Sequence, residues 1–241
     1  MYRTIIHLRP ADPGAHFNLG NALYGKPDLD GALAQYREAV RLAPDFFEAH
    51  NNIGSVLRIK NDTDGAIAEF REALRLKPSF VEAHDNLGTA LRDKHDVDGA
   101  IAEYREALRL KPDTVDALHN LGNALIDKQD LDGAIAQYRE ALRLQPGLYQ
   151  VHDDLGNALR GKQDLIGAVA EYREALRLKP DFTEAHRDLG NALRDSQDVA
   201  GGMAQFREAL RLKPDDAFAH FYLANALYAT HEVRAAVCGI S

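Results

Sequence analysis

Apolar and polar positions follow the period of a helix along this chain, and the pattern restarts every 34 residues. In FEAHNNIGSVLRIKNDTDGAIAEFREALRLKPSF (47–80), a turn of roughly 100° per residue puts Ala49, His50, Ile53, Val56, Leu57 and Lys60 on one side. Glu48, Asn51, Asn52, Ser55, Arg58 and Ile59 fall on the opposite arc. The spacing predicts a packed helix over about 48–60 and a second over about 64–77. Pro78 stops the second, because proline has no N–H to donate and restricts the residue before it. Asp62 and Asp64 supply acceptors and negative charge at its start, and the Asp that follows most of the prolines is placed to cap the next helix. So short a linker forces the two helices to lie antiparallel.

The hexapeptide REAVRL at 37–42 recurs as REALRL at 71–76, 105–110, 139–144, 173–178 and 207–212. One residue later comes Pro44, Pro78, Pro112, Pro146, Pro180 or Pro214. Six full repeats follow: 13–46, 47–80, 81–114, 115–148, 149–182 and 183–216. Residues 1–12 read as the trailing helix of a partial repeat, and 217–241 as the front of a seventh, a first helix followed by the stub EVRAAVCGIS. A fixed period of this size predicts an all-α solenoid of antiparallel helix pairs, each burying its apolar face on its neighbours. Counting within the six full repeats, position 8 is always Gly, and positions 20 and 27 are Ala with one exception, which lets helix axes approach. Position 4 carries His16, His50, His84, His152, His186 and His220 on the packed side; one per repeat cannot converge on a metal, so they read as structural. Gly201-Gly202 and Pro146-Gly147 depart from the pattern and are expected to be the most flexible joints.

Chemistry enters first as a near match. GNALYGKP (20–27) and GNALRGKQ (156–163) fall one residue short of the phosphate-cradling G-x-x-x-x-G-K-[ST]. A phosphate loop needs a preceding strand, free backbone N–H groups and a Ser or Thr for magnesium, whereas here Pro27 and Gln163 follow the lysines and the segment is helical. The net charge of −8 argues against nucleic acid as the main partner. No apolar run is long enough to span a membrane, and the single cysteine, Cys238, excludes an intrachain disulfide, so a cytoplasmic protein is expected. No metalloprotease, hydrolase or cysteine-cluster motif occurs, and the reading is of a non-enzyme with no cofactor and no metal.

The repeats resemble tetratricopeptide repeats, on residues such as Leu121, Gly122, Ala134, Tyr138, Ala141 and Pro146 of the fourth. That resemblance implies a right-handed superhelix whose inner surface, lined by the first helices, holds an extended peptide or a partner helix. PDFFEAHNNIG (44–54) and PSFVEAHDNLG (78–88) are further similar to the repeats of O-linked N-acetylglucosamine transferase. In that family, asparagines at position 6 form a ladder that bonds a bound peptide's backbone. The resemblance places the ladder on Asn18, Asn52, Asn86 and Asn120, with Asp154, Asp188 and Tyr222 interrupting it. The transferase's catalytic domain has no counterpart, since repeats use up the length. The clamp by which other members grip a C-terminal carboxylate needs Lys or Arg at positions 2, 5 and 6, where only Arg187 is basic.

Asparagine donates and accepts at once and so suits peptide backbone. A second polar row runs at position 9 through Asn21, Asn123, Asn157, Asn191 and Asn225, with Ser55 and Thr89 between. The alternative is that these asparagines bond one another and only solvate the surface. Acids line the same arc (Glu48, Glu82, Asp85, Asp116, Asp153, Asp154, Glu184, Asp188), beside a basic row of Arg58, Arg92, Arg160 and Arg194. A protein or peptide ligand of positive or mixed charge is expected there; a solvated face with weak ion pairs is the alternative. The expected function is a non-catalytic interaction scaffold. Two alternatives stand beside it: head-to-tail self-assembly through uncapped terminal helices, or the substrate-binding arm of a sugar transferase, of which the chain would be a fragment.

Overall fold

The computed structural model describes the backbone of residues 11–238 and the side chains of residues 11–229. Thirteen α-helices and no strand occur among the described residues. They are α1 (Pro13–Tyr24), α2 (Leu29–Leu42), α3 (Phe47–Ile59), α4 (Thr63–Leu76), α5 (Val81–Asp93), α6 (Val97–Leu110) and α7 (Val115–Asp127). There follow α8 (Leu131–Leu144), α9 (Tyr149–Gly161), α10 (Leu165–Leu178), α11 (Thr183–Asp195), α12 (Val199–Leu212) and α13 (Ala217–Cys238). The chain divides after Ala124 into two compact bodies. In the first, α1 packs with α2, α3 with α4 and α5 with α6, while α2 meets α3 and α4 meets α5. In the second, α9 packs with α10 and α11 with α12, while α8 meets α9, α10 meets α11 and α12 meets α13. The partial repeat before residue 13 and the Cys238 side chain lie outside the described residues.

Each helix pair closes on one aromatic side chain of its second helix. Tyr36, Phe70, Tyr104, Tyr138, Tyr172 and Phe206 are all fully buried. One side of the ring presses on the glycine at position 8: a methyl group at Gly54 would come within 2.6 Å of the Phe70 ring, and one at Gly156 within 2.6 Å of Tyr172. Glycine is therefore required by the ring, not only by the approach of two helix axes. It also disposes of the phosphate-loop resemblance, because Gly20 sits inside α1 against Tyr36.

The turn inside each pair has a fixed chemistry. Asn61, His95, Gln129, Gln163 and Gln197 adopt the left-handed conformation with φ between 62° and 70°, which ends the first helix. The next residue is an aspartate whose carboxylate accepts the N–H of a glycine three residues on, as Asp62 does from Gly65 at 3.0 Å. This is the N-cap expected of Asp62. Asp64, by contrast, faces outward and bonds Lys94 of the following repeat at 2.5 Å. Lys60 to Asp30 and Lys162 to Asp132 repeat that bridge. Lys60 is accordingly exposed and not on the packed side as its helical angle suggested.

Two further expectations change. The aspartate after the proline does not cap the next helix: α3 and α11 begin after Phe46 and Phe182, with no side-chain cap bond from Asp45 or Asp181. Where an aspartate stands one residue later, it does cap; Asp12 accepts from Gly14 and Ala15, and Asp216 from Ala219. The stub after the last first-helix is absent as such, because α13 runs unbroken for 22 residues. At the turn position the seventh repeat reads His231-Glu232, lacking the Asp that starts a second helix elsewhere.

The position-4 histidines tie helix pairs to the loops between repeats. His84 Nδ1 lies 2.6 Å from Glu103 and its Nε2 donates to the Pro78 carbonyl at 3.0 Å. His50 and His152 make the same two contacts, with Glu69 and Pro44 and with Glu171 and Pro146. Burial disfavours the charged ring, but the bonds to Glu103 and the Pro78 carbonyl outweigh it and raise the His84 pKa; His152 is raised in the same way by Glu171 and Pro146.

Candidate functional site

The polar rows lie on the first helix of each pair, and neighbouring repeats bond to one another across them. In the first body Asn52 Nδ2 donates to Asn21 Oδ1 at 3.0 Å. Asn86 Nδ2 donates to Asn51 Oδ1 at 3.0 Å, and Asn120 Nδ2 to both oxygens of Asp85 at 3.0 and 3.2 Å. Position 6 of one repeat thus reaches back to position 5 or 9 of the repeat before. An asparagine side chain has two N–H groups and an acceptor oxygen, so a residue in such a row can join repeats and also meet a ligand. Asn18 is exposed.

Position 9 is held from behind. Tyr36 donates its hydroxyl to Asn21 Oδ1 at 2.8 Å, Tyr104 to Thr89 at 3.2 Å and Tyr172 to Asn157 Oδ1 at 2.9 Å. Burial pushes the Tyr36 and Tyr104 phenols up to about 12, so the hydroxyls stay donors. Asn21, Asn52, Ser55, Tyr24 and Tyr36 together line a cleft of about 310 Å³. A second cleft, of about 390 Å³, lies between the third and fourth repeats and is lined by Asp85, Asn86, Lys111 and Asp116 among others.

The basic row is engaged where its partners are seen. Arg58 reaches Asp93 at 3.2 Å, Arg160 reaches Asp195 at 2.8 Å and Arg194 reaches the same Asp195 at 3.1 Å. Arg194 also lies 5.7 Å from the Tyr222 ring; Arg92 is half-buried. The partners, Asp93 and Asp195, sit at position 13, which the helical angles put on the same open arc without naming these acids as candidates. The signal was there: an Arg at position 12 and an Asp at 13 of the next repeat stand 35 residues apart, the distance that also separates Asn86 from Asn51.

In the second body the rows are less regular. Asn157 and Asn225 are exposed and Asp154 is half-buried, as is Asn123 at the end of the first body. Asn191 is only 2% exposed, and its Oδ1 has no hydrogen-bond partner. Its repeat carries Phe206 where Tyr172 elsewhere supplies the hydroxyl. Asp153 is 6% exposed, and its Oδ1 is the other unpaired buried side-chain oxygen among the described residues. Burial first, and then the charges of Asp188, Asp154 and Glu184, push the Asp153 carboxyl up to about 8. Asp188 is raised too, mainly by burial. Among the described residues, no helix is long and apolar enough to cross a membrane, and no three metal-ligating side chains gather into a metal site.

Comparison with known proteins agrees with this architecture. A tetratricopeptide repeat profile matches residues 1–45, 17–79, 86–149 and 187–237, and a second TPR profile matches 156–197. No curated protein matches the chain. Among solved structures, the APC/C hetero-tetramer Cut9–Hcn1 superposes with a TM-score of 0.81 at 18% identity, over 94% of this chain and 45% of that one. The chain therefore spans under half the length of that relative. PilF of Pseudomonas aeruginosa gives a TM-score of 0.79 at 18% identity, covering 88% of this chain and 97% of its own. YrrB, described as a TPR protein with an unusual peptide-binding site, gives 0.65 at 19% identity over 77% and 96%. At these identities the likeness is one of fold. With repeat profiles covering most of its length, the chain belongs to the tetratricopeptide repeat family.

Proposed function

We propose that the chain is a non-catalytic interaction scaffold that holds an extended peptide or a helix along the first helices of its repeats. The cleft among Asn21, Asn52, Ser55, Tyr24 and Tyr36 carries the reading. It joins position-6 and position-9 side chains of consecutive repeats and mixes polar and aromatic lining, as a recognition groove requires. Asn18, Asn52, Asn86 and Asn120 would meet the ligand's backbone, and YrrB supplies a precedent within the fold for peptide binding. Selection from a displayed random-peptide library tests it, with each enriched peptide then titrated against Asn18→Ala, Asn52→Ala and Asn86→Ala. Thermal stability is measured in parallel, because Asn52 and Asn86 also act as struts. Binding weakened in Asn18→Ala at unchanged stability supports the groove. A library that yields nothing, or peptides indifferent to all three changes, refutes it.

A second reading, self-association, draws on α13, whose Phe218 and Phe221 are exposed. Light scattering that finds only monomer at high concentration excludes it. The likeness of 44–54 and 78–88 to O-linked N-acetylglucosamine transferase repeats would make the same groove a transferase's substrate arm, with the peptide contacts unchanged.

A further inference from the structure

At one place the strut between positions 6 and 5 meets two carboxylates. Asn86 serves Asn51 and Asn120 serves Asp85, each amide donating to the acceptor one repeat behind. The corresponding residues in the second body are Asp188 and Asp153, two carboxylates. Asp188 has no amide N–H to give, so the strut that Asn120 makes to Asp85 is not repeated. Asp153 shows the consequence: it is buried, its Oδ1 is unpaired, and its Oδ2 receives only a long 3.4 Å bond from Asn157. The same Asn157 amide also serves Asp188.

Arg187 and Arg160 offset part of the pair's charge from a distance, but each makes its own contact with another group. Arg187 reaches Asp216 at 3.6 Å and lies 5.3 Å from the Phe218 ring. Arg160 is held by Asp195 at 2.8 Å. Asp154 on the same helix and Glu184 on α11 add negative charge, and Tyr172 stands behind as a neutral phenol. A buried acceptor that no donor reaches and a second carboxylate beside it describe a place for a donor brought from outside.

We infer that the second body takes a lysine or arginine side chain of a bound peptide between Asp153 and Asp188, its N–H groups supplying what Asn120 supplies to Asp85. This rests on the peptide-groove reading and adds the ligand's chemistry. Before the ligand arrives the pair retains a proton, since burial and mutual repulsion hold Asp153 up near 8. The incoming cation favours the ionised pair, so binding at neutral pH releases a proton and tightens as the pH rises from 6 towards 8.

The probe is an acetylated, amidated octapeptide of alternating Lys and Ala, titrated by calorimetry in two buffers of different ionisation enthalpy. Its control is the same peptide with every lysine acetylated. Asp188→Asn rebuilds the asparagine strut and should fold at least as well as the parent. It is expected to bind the lysine peptide roughly tenfold or more weakly, the scale of a lost charge-assisted bond, and to release no proton. Glu184→Gln removes the same charge from the same helix but not from the pair, and should change affinity by less than about threefold. Equal losses in Asp188→Asn and Glu184→Gln, or equal binding of the lysine and acetyl-lysine peptides, overturn the inference. If library peptides bind through Asn18 while the lysine peptide ignores Asp188→Asn, the acidic pair is wrong and the groove stands. If no peptide of any kind binds, the groove reading fails and takes this one with it.

Discussion

Replacing Phe206 with tyrosine should stabilise the protein, although the change puts a hydroxyl into a fully buried position. Three repeats show what that hydroxyl does: Tyr36, Tyr104 and Tyr172 each donate to the position-9 side chain of their own pair, at 2.8, 3.2 and 2.9 Å. In the sixth repeat the acceptor is present and the donor is missing, leaving Asn191 Oδ1 buried and unpaired. The Phe206 ring already lies where the tyrosines lie, with a built Gly190 methyl 2.5 Å from its edge against 2.6 Å for Gly156 and Tyr172. A para-hydroxyl therefore points at the asparagine without repacking. A net intramolecular hydrogen bond contributes about 0.5–1.5 kcal/mol, and an orphaned buried acceptor costs about 1–3. A gain of about 1 kcal/mol is expected, or roughly 2–4 °C in melting temperature for a chain of this size. Because repeat arrays open locally, amide exchange across α11 and α12 is the sharper assay than a global melt. Phe70→Tyr is the control, since its partner Ser55 already donates to the Asn51 carbonyl at 3.1 Å and no orphan waits there. A double-mutant cycle with Asn191→Ala should return a coupling of about 1 kcal/mol. Unchanged protection in F206Y, or a coupling near zero, would refute the argument.

Three more expectations follow from contacts already described. Gly54→Ala drives a methyl into the Phe70 ring, with a 2.6 Å approach, and should cost about 1–3 kcal/mol by overpacking; an unaltered urea midpoint would show that the ring can tilt away. Stability should fall between pH 5.5 and 8.5. Raised folded pKa values at His84 and His152 give stability that is present below the ordinary imidazole value and lost as pH rises through the folded one, and raised Asp153 makes the folded state hold an extra proton from 3.8 to about 8. Urea midpoints at both ends of that window test the sign, and Asp188→Asn should flatten the Asp153 part of the slope. Ile166, 87% exposed, and Ser196 occupy the two positions that elsewhere form the Lys–Asp bridge. Ile166→Asp with Ser196→Lys should show a small coupling that vanishes in high salt, each single change being near neutral.

Much of this molecule was legible because the period repeats the same answer six times. The helix pairs appear within one residue of the predicted bounds: α3 and α4 run over 47–59 and 63–76 where 48–60 and 64–77 were expected. Helical angles could not say how far along a neighbour each residue sits, and the misses come from there. Lys60 shares the packed side by angle, but it stands at the helix end, where it reaches Asp30. Asn51 and Asp153 lie on the open arc by angle and are buried by the next repeat's first helix. That Asn52, Asn86 and Asn120 bind their neighbours follows from a register between repeats, and amphipathicity within one repeat is silent on register. The unpaired Asn191 needed two residues read together, Phe206 and Asn191, fifteen apart and on different helices.

The Lys–Asp bridges between repeats have a consequence for how such a chain can be cut and rejoined. The second to fourth 34-residue blocks each carry a lysine at the position that faces the block before and an aspartate at the position that faces the block after. Excising 47–80 would bring Lys94 opposite Asp30, and the seam would close with the same salt link that it had lost. Excising 149–182 would instead bring Ser196 opposite Asp132 and leave an aspartate without its cation. The blocks are interchangeable cassettes up to that seam, while Ile166 and Ser196 form a matched splice that tolerates transplantation only as a pair.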